Sequence, residues 1–261
     1  MSEPMISHPP PRGILTCGDG AAIAYHHLPG ASPGVMFCTG LMSDMTGDKA
    51  LCLEDFCRRR GQGFIRFDYR GHGASSGDIA AGTIGEWADD TVAILDEVTK
   101  GPQVLVGSSM GGWIMLLAAL RRPRRVVGLL GIAAAADFTE DLFASGLTVA
   151  QKQAIERQGF TEIPSDYSDQ PYIITKALID DGRRHLVLRN KIPLDCPVRL
   201  IHGMGDEHVP WRTALAITEG LRSDDVEVIL VKDGGHRLSE DDDLERLCAT
   251  LESLLRRIEK S

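Results

Sequence analysis

The sequence has no long apolar run and no excess of positive charge, and both absences narrow its function. The longest apolar runs, residues 110–120 and 126–136, have about eleven residues each, roughly half of what a membrane-spanning helix needs. No transmembrane segment is therefore expected. The chain carries 28 basic and 37 acidic side chains, which gives a net charge of −9. Because nucleic-acid binding requires basic side chains at the phosphates, a nucleic-acid partner is not expected.

The sequence also lacks a Cys-x-x-Cys pair and an N-terminal targeting signal. Its six cysteines are scattered among apolar or helical segments, which favours buried, reduced thiols over disulfides or a metal site. We therefore expect neither a metal nor a cofactor. Residues 1–12 contain consecutive prolines and no apolar core, so they are predicted to be a flexible leader rather than a secretory signal. Reduced thiols and the lack of a targeting leader together predict a cytoplasmic protein.

Strand-like and helix-like segments alternate along most of the 261 residues. Such alternation is typical of an α/β fold in which helices cover both faces of a mostly parallel sheet. The first two strands are separated by Gly18-Asp19-Gly20, a hairpin signal, so the sheet is expected to begin antiparallel. The predicted strands are residues 14–17, 22–25, 34–40, 64–69, 102–107, 126–134, 198–203 and 226–231, and the predicted helices are residues 48–60, 83–99, 110–120, 211–222 and 240–260.

The alternation stops near residue 137 and resumes at residue 198. This interval is too long for a plain connection and too irregular for one helix. We interpret it as a cap over the C-terminal edge of the sheet, where open α/β sheets bind ligands. The predicted organisation is thus a core of residues 13–136 and 197–261, with a cap insertion of residues 137–196.

The segment Gly107-Ser108-Ser109-Met110-Gly111 stands between a predicted strand and a predicted helix. Glycines are needed on both sides of the serine because a side chain there would strike the neighbouring strand or helix. A serine on so sharp a turn projects its oxygen at the edge of the sheet. The N–H of the next residue, Met110, then faces a developing oxyanion at the helix N-terminus. Ser109 is therefore the candidate nucleophile; the alternative is a glycine-rich helix start without chemistry.

A serine hydroxyl needs a base, and the base needs an acid that fixes its tautomer. His236 follows the last predicted strand, which is where the chain order Ser–Asp–His places the base. Asp206 follows the predicted strand 198–203 and is the candidate acid. Glu207 is a competitor one residue further along the chain, and His208 is expected to have a surface role.

A second oxyanion donor is expected in the loop that follows the first parallel strand. Gly40 lets the chain turn there, and the N–H of Leu41 would then point at the nucleophile. The next strand ends at Asp68 and leads to His72. We expect Asp68 to brace a loop and His72 to have a structural role.

These segments together resemble the α/β-hydrolase superfamily over nearly the whole chain. The resemblance is carried by the segments FIRFDYRGHGASSG, VLVGSSMGGWIML and HGMGDEHVPW and by the loop GLMSDM. It implies an α/β-hydrolase fold with an eight-stranded, mostly parallel sheet, helices on both faces and a small inserted cap. It also implies site residues: the nucleophile, acid and base are Ser109, Asp206 and His236, and the oxyanion donors are the backbone N–H groups of Leu41 and Met110.

By this resemblance the chain is predicted to be a serine hydrolase that cleaves carboxylic esters or thioesters through an acyl-enzyme on Ser109. The branch that it resembles contains acyl-protein thioesterases and acyl-glucuronide esterases. The expected partner is therefore a small-molecule or protein-linked acyl ester or thioester. Two alternatives stay open: another reaction of the same fold, such as C–C bond hydrolysis or perhydrolysis, and a non-catalytic binding member. The intact serine, aspartate and histidine positions argue against the second alternative.

Two groups of side chains are candidates for substrate binding. Trp113, Leu142 and Phe143 either line an acyl pocket or form the small core of the cap. Arg183 and Arg184 belong to a basic cluster in an otherwise acidic protein. They either bind a substrate carboxylate, such as that of a glucuronide, through charge-assisted hydrogen bonds, or they belong to a solvated face.

Overall fold

The structure, a computed structural model, describes residues 12–164 and 171–260. The predicted leader therefore lies outside the described residues, except for the backbone of Arg12. Ten strands are present in the described part: β1 (Arg12–Thr16), β2 (Ala22–Leu28), β3 (Ala31–Cys38), β4 (Gln62–Phe67), β5 (Gln103–Ser108), β6 (Val126–Ile132), β7 (Phe160–Ile163), β8 (Tyr172–Thr175), β9 (Val198–Gly203) and β10 (Val226–Val231).

All of these strands except β7 and β8 form one sheet, in the order β1-β2-β4-β3-β5-β6-β9-β10. β2 pairs antiparallel with β1 and β4, and every other neighbouring pair in this sheet is parallel. The predicted hairpin turn at Gly18-Asp19-Gly20 joins β1 to β2, and Gly20 adopts the left-handed φ of 89° that the turn requires. The mostly parallel sheet predicted from the sequence is confirmed.

Helices cover both faces of this sheet. The α-helices in residues 12–164 and 171–260 are α1 (Asp48–Arg60), α2 (Ile84–Ala93), α3 (Met110–Arg121), α4 (Phe138–Asp141), α5 (Val149–Gln158), α6 (Lys176–Gly182), α7 (Arg212–Gly220) and α8 (Asp241–Glu259). A 3-10 turn at Ile79–Ala81 and π-helical turns at Ile94–Val98 and Leu142–Gly146 are also present. Leu53 of α1 and Leu251 of α8 share a core cluster with Val104 of β5. Trp87 of α2 shares the other cluster with Leu105. Because side chains alternate along a strand, these two β5 neighbours point to opposite faces.

Local signals explain most of the helix boundaries. α1 spans the predicted residues and ends at Gly61, whose φ of 72° allows its N–H to cap the helix. The segment predicted as one helix at residues 83–99 is α-helical to Ala93 and then forms a π-helical turn at Ile94–Val98. None of the described helices combines the length and the apolar character needed to cross a bilayer.

Between β6 and β9 the chain adds α4, α5, the β7–β8 hairpin and α6. Asp137 opens this insertion, and its buried carboxylate accepts the N–H groups of Val187 at 2.8 Å and Leu188 at 3.0 Å. The two ends of the insertion are thereby closed against each other. Asp181 of α6 also accepts the N–H of Gly85 at 2.7 Å, which ties the insertion to α2. We propose that residues 137–196 form a cap on a core of residues 13–136 and 197–261.

Candidate active site

Ser109 lies on the turn between β5 and α3, with φ 54° and ψ −122°. A residue with a side chain rarely adopts this backbone conformation, which costs free energy. Three backbone hydrogen bonds hold it: the Ser109 N–H donates to the carbonyl of Ile132 at 2.9 Å, and the Ser109 carbonyl accepts from Gly112 at 2.8 Å and Ala135 at 3.0 Å. The conformation is therefore imposed by contacts with α3 and with the end of β6.

The two flanking glycines let α3 pack closely on the sheet. A Cβ atom at Gly107 would collide with the carbonyl of Gly111, and a Cβ atom at Gly111 would collide with the carbonyl oxygens of Cys38 and Thr39. All of these are backbone atoms, so they cannot turn aside as a flexible side chain would. The start of α3 therefore rests directly against the end of β3 and the loop that follows it.

A chain of hydrogen bonds connects Ser109 to residues that follow two later strands. His236 Nε2 lies 3.0 Å from Ser109 Oγ, and Nδ1 of the same ring lies 2.8 Å from Asp206 Oδ2. His236 comes from the loop after β10 and Asp206 from the loop after β9, so the carboxyl ends of three parallel strands bring them together. The side chain of His236 is 13% exposed, and that of Asp206 is fully buried. Glu207, the alternative acid, has an exposed side chain.

Hydrogen bonds hold both oxygens of the Asp206 carboxylate. Oδ1 accepts the N–H groups of His208 at 2.9 Å and Val209 at 2.8 Å. Oδ2 lies 3.3 Å from Nε2 of His202, a fully buried residue near the end of β9. Burial alone would raise the pKa of Asp206, but hydrogen bonds from His202, His236 and the Val209 N–H together hold the pKa well below its ordinary value. The carboxylate therefore stays ionised at neutral pH, as an acid that stabilises an imidazolium must.

Two backbone N–H groups at this site have no acceptor within the part of the chain that the structure describes. They belong to Leu41 and Met110, which both line the cavity beside Ser109. Met110 is the first residue of α3. Leu41 follows Gly40, where an added Cβ would lie 3.4 Å from Ser109 Cβ and 4.0 Å from its Oγ. Two donors beside one serine can bind an oxygen on which negative charge develops.

Ser109 and His236 lie on the wall of a cavity of about 720 Å³. The insertion contributes apolar lining residues, which we call the apolar part of the cavity: Phe138, Leu142, Ile163, Tyr172 and Ile174. Residues 43–49 and the loop after β10 contribute polar lining residues, which we call the polar part: Ser43, Asp44, Lys49, Arg237 and Ser239. Further residues of both kinds complete the wall, among them Phe37, Met110, Ser145 and His208.

Of the three apolar side chains predicted to contact substrate, Leu142 lines this cavity. Trp113 is fully buried within α3, and its indole Nε1–H donates to the carbonyl of His185 at 3.1 Å. Its ring packs edge-on against Phe138, with ring centroids 5.8 Å apart. Trp113 therefore supports a residue of the cavity wall from behind and does not line the cavity itself.

The two predicted arginines bind acidic side chains of the insertion. Arg183 lies 2.6 Å from Glu140, with its guanidinium 4.8 Å from the ring centre of Phe143, and Arg184 lies 2.8 Å from Asp181. Within the described residues, neither arginine nor Phe143 lines the cavity. Because these charges are neutralised within the insertion, the structure gives no support to the hypothesis that they bind a substrate carboxylate.

Sequence reasoning missed two side chains that contact either Asp206 or the loop that carries His236. His202 lies against Asp206, and its only sequence signal is a histidine near the end of a predicted strand. Lys49 donates from Nζ to the carbonyl of Arg237 and to Ser239 Oγ, so it ties α1 to the loop that carries His236. Burial lowers the pKa of Lys49 to about 8. No local pattern could indicate this contact, since Lys49 and Arg237 are 188 residues apart.

Known proteins resemble this chain over most of its length. It is 45% identical over 234 residues to the mitochondrial palmitoyl-protein thioesterase ABHD10 of Mus musculus, covering 89% of this chain and 78% of that protein. The structure of alpha/beta hydrolase domain-containing protein 10 from mouse has a TM-score of 0.88 and 42% identity, over 95% of this chain and 99% of that one. A protein from Agrobacterium vitis S4 that is named as a hydrolase has a TM-score of 0.90 and 39% identity, over 95% and 99%.

The prediction of a cytoplasmic protein is wrong. Five relatives of 42–45% identity are all named as mitochondrial proteins. Free thiols indicate a reducing compartment and do not distinguish one such compartment from another. The cysteine pattern and the composition of residues 1–12 were therefore an insufficient basis for that prediction.

The family itself is identified by sequence and by structure. The profile of the Alpha/beta hydrolase family matches residues 48–250, a stretch that includes Ser109, Asp206 and His236. The same family is indicated by the relatives and by the superposed mouse structure, so the resemblance predicted from the sequence motifs is confirmed. The chain therefore belongs to the alpha/beta hydrolase family and is a hydrolase.

Proposed function

We propose that this hydrolase cleaves carboxylic esters and thioesters through a covalent acyl-enzyme on Ser109. The proposal is carried by one observation, the continuous chain of hydrogen bonds from Ser109 through His236 to Asp206 on the wall of the cavity. The names of the relatives, which are palmitoyl-protein thioesterases, support the thioester as a substrate class.

In the first step, His236 Nε2 takes the proton of Ser109 while Oγ attacks the carbonyl carbon of the substrate. Nδ1–H of the same ring donates to Asp206, which holds the required tautomer and stabilises the imidazolium. The carbonyl oxygen becomes an oxyanion and accepts the N–H groups of Leu41 and Met110. The imidazolium then protonates the leaving alcohol or thiol as the C–O or C–S bond breaks, and the acyl group remains on Ser109.

In the second step, water takes the place of the serine hydroxyl. His236 accepts a proton from the water as its oxygen attacks the acyl-enzyme, and the same two N–H groups bind the new oxyanion. The intermediate then expels Ser109 Oγ, which regains its proton from the imidazolium. The products are a carboxylic acid and the alcohol or thiol released in the first step.

The acyl chain is proposed to lie against the apolar part of the cavity, under the cap of residues 137–196. Leu142, Ile163 and Ile174 line this part. Each buried methylene contributes about 0.8 kcal/mol to binding. Longer acyl chains should therefore be preferred until the apolar part is filled. In a series of thioesters with about 2 to 16 acyl carbons, kcat/KM should rise with chain length up to that point.

The leaving group is proposed to lie against the polar part of the cavity. Ser43, Lys49 and Ser239 line it and can form hydrogen bonds with a hydroxylated group. This observation supports a second substrate class, the acyl glucuronides, in which a sugar is the leaving group. Comparing kcat/KM for a thioester and a glucuronide of one acyl group would rank the two classes.

A fluorophosphonate probe tests the nucleophile, because it reacts only with an activated serine. The wild-type protein should be labelled at Ser109. The Ser109→Ala variant should lose both the label and about five to six orders of magnitude in kcat. Ser108→Ala makes the same chemical change at the neighbouring residue and should keep the label. A label on Ser109→Ala would overturn the proposal.

The same experiment separates the alternatives. A wild-type protein that is labelled at Ser109 but hydrolyses neither esters nor thioesters would favour C–C bond hydrolysis or perhydrolysis. A folded wild-type protein that is neither labelled nor active would favour a non-catalytic binding member of the family.

A further inference from the structure

The loop between β3 and α1, residues 39–47, is attached to the segment after β4 at two points. The first point lies near α1, where the Met45 N–H donates to Asp68 Oδ1 at 2.7 Å. Arg66 Nη1 donates to the carbonyl of Met45 at 2.8 Å. Asp68 and Arg66 are both buried. These bonds fix the end of the loop next to α1, so the part that carries Leu41 needs another support.

His72 is the second attachment. Its Nε2 accepts the N–H of Met42 at 3.3 Å, and its Nδ1 lies 3.2 Å from the carbonyl oxygen of Arg70. Because a carbonyl oxygen can only accept, Nδ1 carries the ring hydrogen and Nε2 has a free lone pair for Met42. Burial lowers the pKa of His72, although the bond to the Arg70 carbonyl acts against this, so the neutral ring is favoured.

Packing prevents the His72 ring from moving away from the loop. The residue is 3% exposed. Its ring meets Tyr69 and Trp87 edge-on, with centroids 5.6 Å and 5.3 Å apart. The acceptor Nε2 is therefore held at a fixed place relative to the sheet.

The loop needs such an acceptor because its turn is strained. Residues 40–43 form a turn that the Ser43 N–H closes on the carbonyl of Gly40 at 3.2 Å. The third residue, Met42, has φ 56°, a left-handed value that a residue with a side chain seldom adopts. The commoner turn with a negative φ at this position flips the peptide between Leu41 and Met42. That flip would turn the Met42 N–H away from His72, so the hydrogen bond selects the strained turn.

We propose that His72 is a positioning residue, whose imidazole holds the Met42 N–H, fixes the peptide between Leu41 and Met42 and thereby restrains Leu41, the residue whose own N–H is proposed to bind the oxyanion. His72 touches neither the substrate nor the reacting atoms. It should stabilise the transition state and the tetrahedral intermediate but not the bound substrate, because the oxyanion is absent from the bound substrate. The inference rests on the proposed function, since it assumes acyl transfer at Ser109.

Three variants of His72 test this role. His72→Phe keeps a ring between Tyr69 and Trp87 but has no acceptor. His72→Gln places an amide oxygen near the position of Nε2, and His72→Asn reaches only the position of Nδ1. His27→Phe, at a half-buried position of β2 outside the cavity lining, is the matched control.

Loss of one oxyanion donor costs about 100- to 1,000-fold in kcat, so loss of its positioning should cost about 10- to 100-fold. We expect this loss in His72→Phe and His72→Asn, with KM changed less than about twofold. His72→Gln should return kcat to within about fivefold of the wild type. A trifluoromethyl ketone forms an adduct with Ser109 that carries an oxyanion. In His72→Asn, the inhibition constant of this ketone should rise by the same factor by which kcat falls. If His72 only stabilised the fold, these two factors would not be equal.

Equal kcat in His72→Asn, His72→Gln and the wild type would overturn the inference, as would a loss confined to KM. If His72→Phe does not fold, the comparison of the Asn and Gln variants still decides the matter. Failure of the proposed function is a different result, in which Ser109→Ala remains active. An inactive Ser109→Ala together with fully active His72 variants would refute the positioning role alone.

Discussion

Replacing Asp206 with asparagine should disable His236 while leaving the fold intact. The carboxylate is fully buried, and its two oxygens have different tasks. Oδ1 accepts two backbone N–H groups, and Oδ2 lies 2.8 Å from His236 Nδ1. Asparagine has one oxygen and one NH₂ group. If its oxygen keeps the backbone bonds, its NH₂ group faces the imidazole.

An NH₂ group cannot accept from Nδ1–H, so the His236 ring would move its hydrogen to Nε2. That atom lies 3.0 Å from Ser109 Oγ and, once protonated, cannot take the serine proton. In a serine triad the same substitution lowers kcat by about four orders of magnitude. We therefore expect a loss of about 1,000- to 10,000-fold, or about 4–5 kcal/mol in the activation barrier. KM should change less than about threefold, because ground-state binding does not involve the tautomer.

The measurement is steady-state hydrolysis of an acyl thioester, with melting followed by circular dichroism to confirm that the variant is folded. Glu207→Gln is the matched control, because it removes an exposed carboxylate one residue away. It should leave kcat within about threefold of the wild type. The reasoning fails if Asp206→Asn retains more than about a tenth of the wild-type kcat, or if both variants lose the same activity.

Two further predictions concern pH and packing. Asp206 should stay ionised when the pH is lowered from about 8 to 5, because hydrogen bonds hold its pKa well below the usual range. A protonated-carboxyl infrared band that appears in this interval in the wild type and is absent from Asp206→Asn would contradict the mechanism. Gly111→Ala should lower the free energy of unfolding by more than about 3 kcal/mol, because its Cβ would collide with the carbonyl of Cys38. In denaturant unfolding, Gly18→Ala is its control, because beyond the adjacent residues of the chain no heavy atom lies within 4 Å of the added Cβ there. Equal stability of the two variants would refute the packing argument.

The parts of the site that could be predicted are those that depend on one strand and its own loop. Gly107 and Gly111 mark a turn that only small residues permit, and the apolar strand before the turn and the helix after it are visible in the sequence. Asp206 and His236 follow predicted strands whose carboxyl ends must meet at one edge of a parallel sheet. Strand order and backbone sterics therefore place these residues without knowledge of side-chain packing.

The sequence could not show which side chains line the cavity, because that depends on which buried neighbour each side chain meets. α3 is apolar on all sides and almost wholly buried, so its pattern cannot show which of its side chains face the cavity. Trp113 contacts Phe138 and the carbonyl of His185 and does not line the cavity. The pairing of Arg184 did have a signal, since Asp181, near the end of α6, precedes it by three residues. Arg183 has the same spacing to Asp180, 3.5 Å away, but its shorter contact with Glu140 of α4 had no sequence signal.

The contacts that no pattern revealed join segments that follow different strands. Met42 and His72 are 30 residues apart, yet β3 and β4 are adjacent in the sheet, so the loops after them lie side by side. Lys49 reaches Arg237 because α1 and α8 cover the same face, which brings together the loops that precede these two helices. Under the proposed mechanism, sequence motifs identify the atoms that react, and we expect these contacts to hold those atoms within a few tenths of an ångström of the geometry that catalysis requires. Substitutions at His72 or Lys49 would leave Ser109, His236 and Asp206 in place, and under the proposed mechanism they should nevertheless lower kcat.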